Sequence, residues 1–319
     1  MIGRLVPGSF AFSEQIGKPC VVTIGNFDGV HLGHQQLLHK TIEEAKTLNV
    51  LSCVYTFEPS PRTLLAPQLH TPRIMSWQEK VEKLLKFGID CVIIEEFSIS
   101  FAGHPPRWFA SEIIDNRLQA KTVVVGHDFR YGKARGGTVD SLQKTLPAIK
   151  IHQVSAFHKE NVIVSSSQIR KFVQKGEVLQ AKKLLGEPYY LRGIVVAGKQ
   201  KGREIGFPTA NIETSSDLIP KPGVYAVEIQ INRGKWLKAM VNLGMQPTFG
   251  GRKFRIEAHI FEFSTDIYGE EITIRFHQRI RSEKRFSSLD KLKQQLQKDQ
   301  IAVQALLEEE AENKSREES

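Results

Sequence analysis

Cysteine is scarce in this sequence, with three residues among 319, and no Cys-x-x-Cys pair occurs. Cys20, Cys53 and Cys91 are odd in number and lie in apolar stretches, which predicts buried reduced thiols and argues against disulfides or a zinc site. No apolar run reaches the roughly 18 residues that a membrane-spanning helix needs. Residues 1–12 also lack the apolar core and cleavage site of a secretory signal. These absences favour a globular protein of the cytoplasm.

The sequence also lacks a block of lysines and arginines, although its formal net charge is +9. A basic surface explains this charge most simply, and anionic substrates or weak affinity for nucleic acids or membrane surfaces are alternatives. The hydrophobic and charged fractions, 40% and 25%, are ordinary for a globular protein. At about 100–200 residues per domain, the length predicts two domains.

The most informative segment is 25–34, with the sequence GNFDGVHLGH. Residues 20–24 form an apolar run that predicts a buried strand, and residues 35–48 have apolar positions at helical spacing. A loop between a strand and a helix binds phosphates, because the first helical turn has unpaired N–H groups and the positive end of the helix dipole. His31 and His34 are three residues apart, so we expect them to share one helix face. There they can stabilise charge that builds on a polyphosphate.

A simpler interpretation of this segment is a tight turn with two solvent-facing histidines. The full string, however, resembles known proteins: His-x-Gly-His is similar to the nucleotidylyltransferase signature. With Gly-x-Phe-Asp-Gly-Val before it, the segment resembles the adenylyltransferase half of bacterial bifunctional riboflavin kinase/FAD synthetases. The resemblance implies that His31 and His34 are catalytic. The nucleotide-binding residues that it implies in this segment are Gly25, Phe27, Asp28 and Gly33.

Three later segments place polar or aromatic residues near strand ends or a helix start. Residues 56–62 (TFEPSPR) and 126–132 (GHDFRYG) follow predicted strands, at the edge where open α/β sheets bind ligands, and residues 165–170 (SSSQIR) begin a helix with spare hydroxyls. A proline-rich connector, loop packing and helix caps are alternative explanations. All three segments resemble strings of the same family, with departures at Ser60, Tyr131 and Ser167. The resemblance implies flavin contacts by Phe57, Asp128, Phe129 and Arg130, and nucleotide contacts by Ser166, Ser167 and Arg170.

Strands and helices alternate through the first half of the chain, which predicts an α/β domain with a parallel sheet and helices on both faces. We place its boundary at Gly186, before a proline. Short alternating runs with glycine-bearing connections follow, which predict an antiparallel barrel, and then a helix over 288–307. Residues 308–319 are charged without an apolar face, which predicts a disordered tail.

A second informative segment is 198–211, GKQKGREIGFPTAN, in which glycines and basic residues precede a rigid Phe-Pro and two polar side chains. Glycine amides and basic groups can surround a triphosphate, and Thr and Asn oxygens can help to hold Mg²⁺. It is not a Walker A loop, because no Gly-Lys-Ser/Thr follows at the required spacing. A flexible basic loop is an equally good explanation from the chemistry alone.

The string Gly-Phe-Pro-Thr-Ala-Asn at 206–211 resembles the riboflavin kinase signature, and strings near 222–226, 242–249 and 256–259 agree with it. Glu257 alternates with apolar Ile256 and Ala258, so it faces away from them and can reach a site. A lone strand glutamate is usually just solvated; the resemblance implies instead that it is the general base. It further implies ATP contacts by Gly198, Lys199, Gly202, Arg203 and Thr209, and metal contacts by Thr209 and Asn211.

The resemblance spans residues 21–299 and implies two domains. Residues 1–186 would form a Rossmann-like FMN adenylyltransferase domain, and residues 187–307 a riboflavin-kinase-like antiparallel β-barrel with a C-terminal helix. The implied enzyme phosphorylates riboflavin to FMN with ATP and Mg²⁺, then joins FMN to a second ATP, giving FAD and pyrophosphate. Two alternatives are a single-activity enzyme with one half as scaffold, and a nucleic-acid-binding regulatory protein. Against the latter, no basic stripe or stacking array is present.

Overall fold

The computed structural model describes residues 4–7, 19–69, 71–198, 202, 206–248 and 251–317. The chain divides into two compact units, residues 1–166 and 167–319. Each unit has its own sheet.

The first unit contains a six-stranded sheet with the order β1-β4-β3-β2-β5-β6. All of its strand pairs are parallel, as the alternation of strands and helices predicts. The order reverses at β2, whose neighbours are β3 on one side and β5 on the other, so the crevice outside these carboxyl ends is a topological switch point. The strands are β1 (Arg4–Pro7), β2 (Cys20–Ile24), β3 (Leu51–Glu58), β4 (Cys91–Glu96), β5 (Ala120–Gly126) and β6 (Lys150–Val154).

Helices connect these strands, and a short hairpin follows β6. The helix after the hairpin begins at the last residue of the first unit, and its other residues belong to the second unit. The helical segment over 106–117 begins as α-helix and continues as π-helix. The strand β1 and the hairpin were not predicted from the sequence. The remaining elements are α1 (Leu32–Leu48), α2 (Pro61–Leu65), α3 (Trp77–Lys86), α4 (Ile99–Ala102), α5 (Pro106–Trp108), a π-helix (Phe109–Arg117), a 3₁₀ turn (Lys133–Arg135), α6 (Val139–Thr145), β7 (His158–Lys159), β8 (Val162–Ile163) and α7 (Ser166–Lys175).

Both faces of the sheet are buried, because successive strand residues point to opposite faces. On one face, Val21, Val54 and Val92 pack with Leu38 of α1 and Leu84 of α3. On the other face, the core contains Val22, Tyr55, Ile93, Val123, Phe109, Ile113 and Leu142. Two covered faces explain why these strands are nearly continuous apolar runs.

The second unit contains a closed barrel with the order β10-β13-β12-β11-β14-β9, in which all pairs are antiparallel. The short alternating runs predict such a barrel, but the ANIE sequence of β10 was not recognised as a strand, because only one of its residues is strongly apolar. The helices α8 (Val178–Leu185) and α9 (Leu289–Glu317) accompany the barrel strands β9 (Tyr189–Val196), β10 (Ala210–Glu213), β11 (Gly223–Ile231), β12 (Trp236–Thr248), β13 (Gly251–Ile260) and β14 (Glu271–Arg281).

The helix α9 extends to Glu317, so the prediction of a disordered tail from Glu308 is wrong through that residue. Val303 and Leu307 are buried against the barrel. Beyond them, Glu308 pairs with Lys238 at 3.2 Å, and Glu310 pairs with Lys182 at 3.0 Å. Ion pairs with residues distant in sequence therefore stabilise this part of α9, which has no apolar face of its own.

Candidate active sites

The loop over 25–34 is tightly wound at the switch point of the first sheet. The Gly25 N–H donates to the Tyr55 carbonyl at 3.1 Å, which joins the start of the loop to β3. Phe27 and Val30 have φ values of 50° and 43°, a region that β-branched and bulky residues rarely adopt. A Cβ added at Gly25 would lie 3.2 Å from the Phe27 ring. The backbone here is held in a strained, compact form, which is common where proteins bind ligands.

The two histidines lie together, as their spacing predicts. His31 is the N-cap of α1, and its Nδ1 accepts a hydrogen bond from the His34 N–H at 3.2 Å. The two rings stack with centroids 3.6 Å apart and planes 13° apart. Because Nδ1 of His31 is an acceptor, a neutral His31 carries its proton on Nε2. This protonation places a ring N–H donor at the helix N-terminus.

His34 is held neutral by its surroundings. Burial lowers the pKa of His34 well below its usual value, and positive charge from His31, Lys83 and Lys80 lowers the pKa further. Its Nδ1 is buried without a hydrogen-bond partner among the described residues. An unpaired buried polar atom is costly, so this nitrogen is suited to contact a bound ligand.

Asp28 connects the 25–34 loop to two other parts of the chain. Its carboxylate accepts from the Ile74 N–H at 3.0 and 3.2 Å and from the Met75 N–H at 3.4 Å. The Ser166 hydroxyl donates to the Asp28 carbonyl at 2.9 Å. The Asp28 carboxylate thus connects the 25–34 loop to residues 74–75, and the Asp28 carbonyl connects the same loop to the Ser166 hydroxyl.

Sequence reasoning missed two lysines that contact this loop. Lys80 Nζ donates to the Asn26 carbonyl at 3.1 Å and to Thr56 Oγ1 at 3.0 Å. Lys83 Nζ donates to the Gly29 carbonyl at 3.1 Å. Their spacing on α3 places them on one helix face, but nothing in the sequence indicates a backbone carbonyl more than fifty residues away as the partner.

Aromatic rings cluster beside the carboxyl ends of β3, β4 and β5. Phe57 lies with its ring centroid 5.5 Å from that of Phe97 and 6.2 Å from that of Phe101. Phe129 stacks on Tyr131 at 5.5 Å with an angle of 18°. Phe57 and Phe129, both predicted flavin contacts, pack against the same core cluster of the unit.

The other predicted residues of this region are more peripheral. Asp128 and Arg130 are exposed, and Arg130 donates to the Phe129 carbonyl at 3.0 Å. Ser60, which departs from the family string, is the N-cap of α2 and accepts from the Thr63 N–H at 3.3 Å. Gly33 approaches the His31 ring, where an added Cβ would lie 3.3 Å away. Ser167 and Arg170 lie in the first turns of α7, within the second compact unit.

In the barrel, three polar residues lie side by side on adjacent strands. Glu257 of β13 is directly opposite Asn211 of β10 and Asn242 of β12, and directly opposed antiparallel residues have Cβ atoms about 5 Å apart. Ile256 and Ala258 are buried, which confirms that Glu257 faces away from the apolar set. Arg255 pairs with the Glu257 carboxylate at 3.2 Å. Sequence reasoning missed Asn242 and Arg255.

The segment before β10 is held by close contacts. A Cβ at Gly198 would clash with the Asn211 amide group, and a Cβ at Gly202 would clash with the Phe207 carbonyl. His259 Nδ1 donates to the Pro208 carbonyl at 2.8 Å. The clash at Gly202 is with the main chain, so a side chain there would displace the backbone, whereas at Gly198 the Asn211 side chain would have to move. Lys199 and Arg203 lie outside the described residues.

A cavity of about 420 Å³ opens beside this segment and is lined by Pro208, Thr209, Ala210, Asp266 and Tyr268, among others. Drug-sized ligands occupy cavities of about 300–1,000 Å³. Thr209, a predicted nucleotide and metal contact, thus faces a space large enough for part of a nucleotide or flavin.

Within the described residues, no group of three or more His, Cys, Asp or Glu side chains is arranged to hold a metal ion. None of the described helices is both long and apolar enough to cross a bilayer.

Comparison with known proteins agrees with this arrangement of sites. Residues 13–168 match the FAD synthetase family and residues 185–307 match the riboflavin kinase family. The bifunctional riboflavin kinase/FMN adenylyltransferase of Escherichia coli K12 is 36% identical over 302 residues, covering 94% of this chain and 96% of the relative. That of Haemophilus influenzae is also 36% identical and covers 90% and 94%.

A solved structure has the same fold over almost the whole chain. It is described as a macrolide-efflux protein from Streptococcus pneumoniae and is 32% identical, with a TM-score of 0.85 and coverage of 95% of this chain and 99% of that one.

The two folds and their loops define a two-domain, nucleotide-dependent transferase. The chain belongs to the bifunctional riboflavin kinase/FMN adenylyltransferase family. It phosphorylates riboflavin to FMN and adenylylates FMN to FAD, with ATP as the co-substrate of both steps.

Proposed function

We propose that adenylyl transfer takes place at the 25–34 loop and that phosphoryl transfer takes place beside Glu257. The observation that carries the first assignment is the stacked His31–His34 pair at the N-terminus of α1, 3.6 Å between centroids. The pair lies where a helix dipole and backbone N–H groups favour anions. The matched family boundaries support the division of labour, because each site falls in the corresponding half.

In the adenylyl-transfer step, an oxygen of the FMN phosphate attacks the α-phosphorus of ATP. A new P–O bond forms, the bond from the α-phosphorus to the bridging oxygen breaks, and pyrophosphate leaves with the electron pair. His31 and His34 donate ring N–H groups to oxygens that gain charge, and no covalent enzyme intermediate is needed. The residues proposed to bind the nucleotide in this domain are Gly25, Phe27, Asp28, Gly33, Ser166, Ser167 and Arg170.

The flavin ring of FMN is proposed to bind at the aromatic cluster that includes Phe57 and Phe129. Offset stacking on aromatic faces favours a planar ligand. The cluster adjoins the strand ends that border the switch point, so a ring held there keeps its phosphate at the same sheet edge as the histidines. Asp128 and Arg130 are proposed to contact polar groups of the flavin from the exposed loop.

In the kinase step, the 5′-hydroxyl of riboflavin attacks the γ-phosphorus of ATP. Glu257 accepts the hydroxyl proton as the oxygen attacks, and ADP leaves. The Arg255 ion pair and the flanking Asn211 and Asn242 support this role because they hold the carboxylate in a polar row on the barrel surface. Gly198, Lys199, Gly202 and Arg203 are proposed to surround the phosphates.

Mg²⁺ is proposed to bind with ATP through Thr209 and Asn211. These side chains offer a hydroxyl and an amide oxygen, and Asn211 lies opposite the Glu257 carboxylate. Such hard oxygen donors fit Mg²⁺, which keeps several waters and binds through few protein ligands together with substrate phosphates. The bound ion would neutralise phosphate charge, while Thr209 and Asn211 orient the triphosphate.

The adenylyltransferase domain is proposed to span residues 1–186 and the kinase domain residues 187–307. Cytoplasmic function is proposed on the basis of three buried free cysteines, which are typical of a reducing compartment. The partners are the substrates and products riboflavin, FMN, FAD, ATP, ADP and pyrophosphate; no specific nucleic acid is proposed.

A time course with riboflavin, ATP and Mg²⁺, resolved by chromatography of the flavins, tests these assignments. FMN is expected first and FAD later. His31→Ala should abolish FAD formation and leave FMN formation nearly intact, and Glu257→Ala should lose FMN formation but still convert added FMN to FAD. Equal loss of both activities in either variant would contradict the two-site assignment.

A further inference from the structure

Lys80 is a buried charged residue beside the 25–34 loop, with 5% of its surface exposed. It lies on α3, which starts at a complete capping box formed by Ser76 and Glu79. Its ammonium donates to the carbonyl of Asn26, at 3.1 Å, and to the hydroxyl of Thr56, at 3.0 Å. A single side chain therefore joins the loop after β2 to the carboxyl end of β3.

These hydrogen bonds fix the orientation of the loop backbone. A trans peptide plane carries its C=O and N–H on opposite sides. When the Asn26 carbonyl is held by Lys80, the next N–H, that of Phe27, is directed the opposite way. Lys83, one turn later, holds the Gly29 carbonyl at 3.1 Å. Two lysines of one helix thus set peptide planes on both sides of the buried Asp28.

The protonation of Lys80 depends on opposing effects of its surroundings. Burial lowers the pKa of Lys80 to about 8, while Glu58 and Asp28 act to raise it and Arg73 acts to lower it. His34 is the further titratable neighbour, and the charges of Lys80 and Lys83 lower its pKa. The ammonium is protonated at neutral pH and loses its proton in mildly alkaline solution.

We infer that Lys80 is a positioning residue for adenylyl transfer: its ammonium holds the phosphate-binding loop against β3 and supplies positive charge beside the histidine pair. The inference rests on the proposed location of the adenylyl-transfer site. Negative charge builds on the phosphates as pyrophosphate leaves, so the orientation of the loop that binds them, and the positive charge beside that loop, affect this step. Lys80 itself acts through the loop that it holds.

The test compares Lys80→Met, Lys80→Arg and the matched control Lys86→Met, which changes an exposed lysine of the same helix. The full-length variants are assayed for FAD formation from FMN and, in the same preparation, for FMN formation from riboflavin. Lys80→Met should lower kcat for FAD formation roughly 100-fold, since small displacements of reacting groups have effects of that size. FMN formation should stay within about twofold, and Lys86→Met should match the parent protein in both activities. Lys80→Arg keeps the charge and should recover part of the loss.

A pH profile separates positioning by charge from simple support of the fold. FAD formation by the parent protein should decline as pH rises through about 8, because Lys80 loses its proton there. This decline should be absent in Lys80→Met and shifted upward in Lys80→Arg, whose guanidinium stays protonated. An unchanged decline in Lys80→Met overturns the inference, as does FAD formation within twofold of the parent. His31→Ala is assayed alongside. If His31→Ala keeps its FAD formation, the proposed adenylyl-transfer site is wrong and the inference about Lys80 is wrong with it. If His31→Ala loses FAD formation while Lys80→Met does not, only the role of Lys80 is overturned.

Discussion

Asn242 lies directly opposite Glu257 in the antiparallel pair β12–β13, so the amide and the carboxylate are neighbours on one face of the sheet. We expect Asn242→Ala to lower kcat for riboflavin phosphorylation about tenfold, within the range that general-base effects span, because it removes a polar neighbour of the base. Asn242→Asp should be worse, since like charges directly opposite each other repel. Steady-state kinetics of both half-reactions checks this, with FAD formation from FMN as the internal control. Equal activity of the two variants would contradict the electrostatic explanation.

Phe129 is expected to determine flavin affinity in the first unit. Its stacking on Tyr131 at 5.5 Å leaves it half-buried next to an exposed loop. Phe129→Ala should raise the KM for FMN about tenfold, because an aromatic pair contributes roughly 0.5–1.5 kcal/mol beyond its buried area. The KM for riboflavin in the kinase reaction should not change. A change in kcat alone, with KM for FMN unaffected, would exclude a role in binding the flavin.

His277 links the barrel to α9 through two carboxylates. Burial alone would lower the pKa of His277, but hydrogen bonds to Glu228 and Glu310 outweigh it and raise the pKa. The pKa of Glu228 is lowered by its hydrogen bond to His277. The pKa of Glu310 falls to about 2, because its bonds to His277 and Lys182 outweigh burial.

The stability effect of this cluster should therefore have a defined pH window. A raised histidine pKa stabilises the fold at pH values below the unfolded pKa of about 6.5 and ceases to do so as pH rises through the folded pKa. The lowered pKa values of Glu228 and Glu310 stabilise the fold above about pH 4.5, and this contribution to stability is lost as pH falls. The melting temperature of His277→Gln should lie roughly 2–4 °C below that of the parent near pH 5.5, and the difference should shrink by about pH 8. A difference that grows with pH would contradict this interpretation.

Arg281 and Asp299 form a buried ion pair between β14 and α9. Asp299 is 2% exposed and accepts from Arg281 Nε at 3.0 Å and Nη2 at 2.7 Å. Arg281→Met should destabilise the protein by about 3–5 kcal/mol, because it leaves an uncompensated buried charge. The double variant Arg281→Met/Asp299→Leu should recover much of that loss. Urea unfolding of the two variants measures this, and a double variant less stable than the single one would refute it.

The sheet, the barrel and the central parts of both candidate sites were predictable because they depend on local patterns. Strands buried on both faces appear as apolar runs, and the His-x-Gly-His string fixes where a helix begins. β1 and β10 were missed because their RLVP and ANIE sequences are short and mixed, and only pairing with distant strands makes them strands. The length of α9 was missed because its last turns depend on ion pairs with Lys182 and Lys238.

Lys80 and Asn242 were missed for a related reason. A lysine at helical spacing looks like a solvated residue, and its partner is a main-chain carbonyl with no sequence signal. Asn242 acquires its position from the register of β12 against β13, which depends on the closure of the whole barrel. The contacts of the Asp28 carboxylate with two main-chain N–H groups have no sequence signal either, because their donors lie more than forty residues away.

All three cysteines are buried on β2, β3 and β4, neighbouring strands of the first sheet. Burial raises the pKa of the Cys53 thiol well above its usual value, and the adjacent Cys20 and Cys91 raise it further. Alkylating reagents react with the thiolate, so they can modify these side chains only when the sheet opens. Because the second unit contains no cysteine, the rate of alkylation measures the opening of the adenylyltransferase half alone, within the intact two-domain chain.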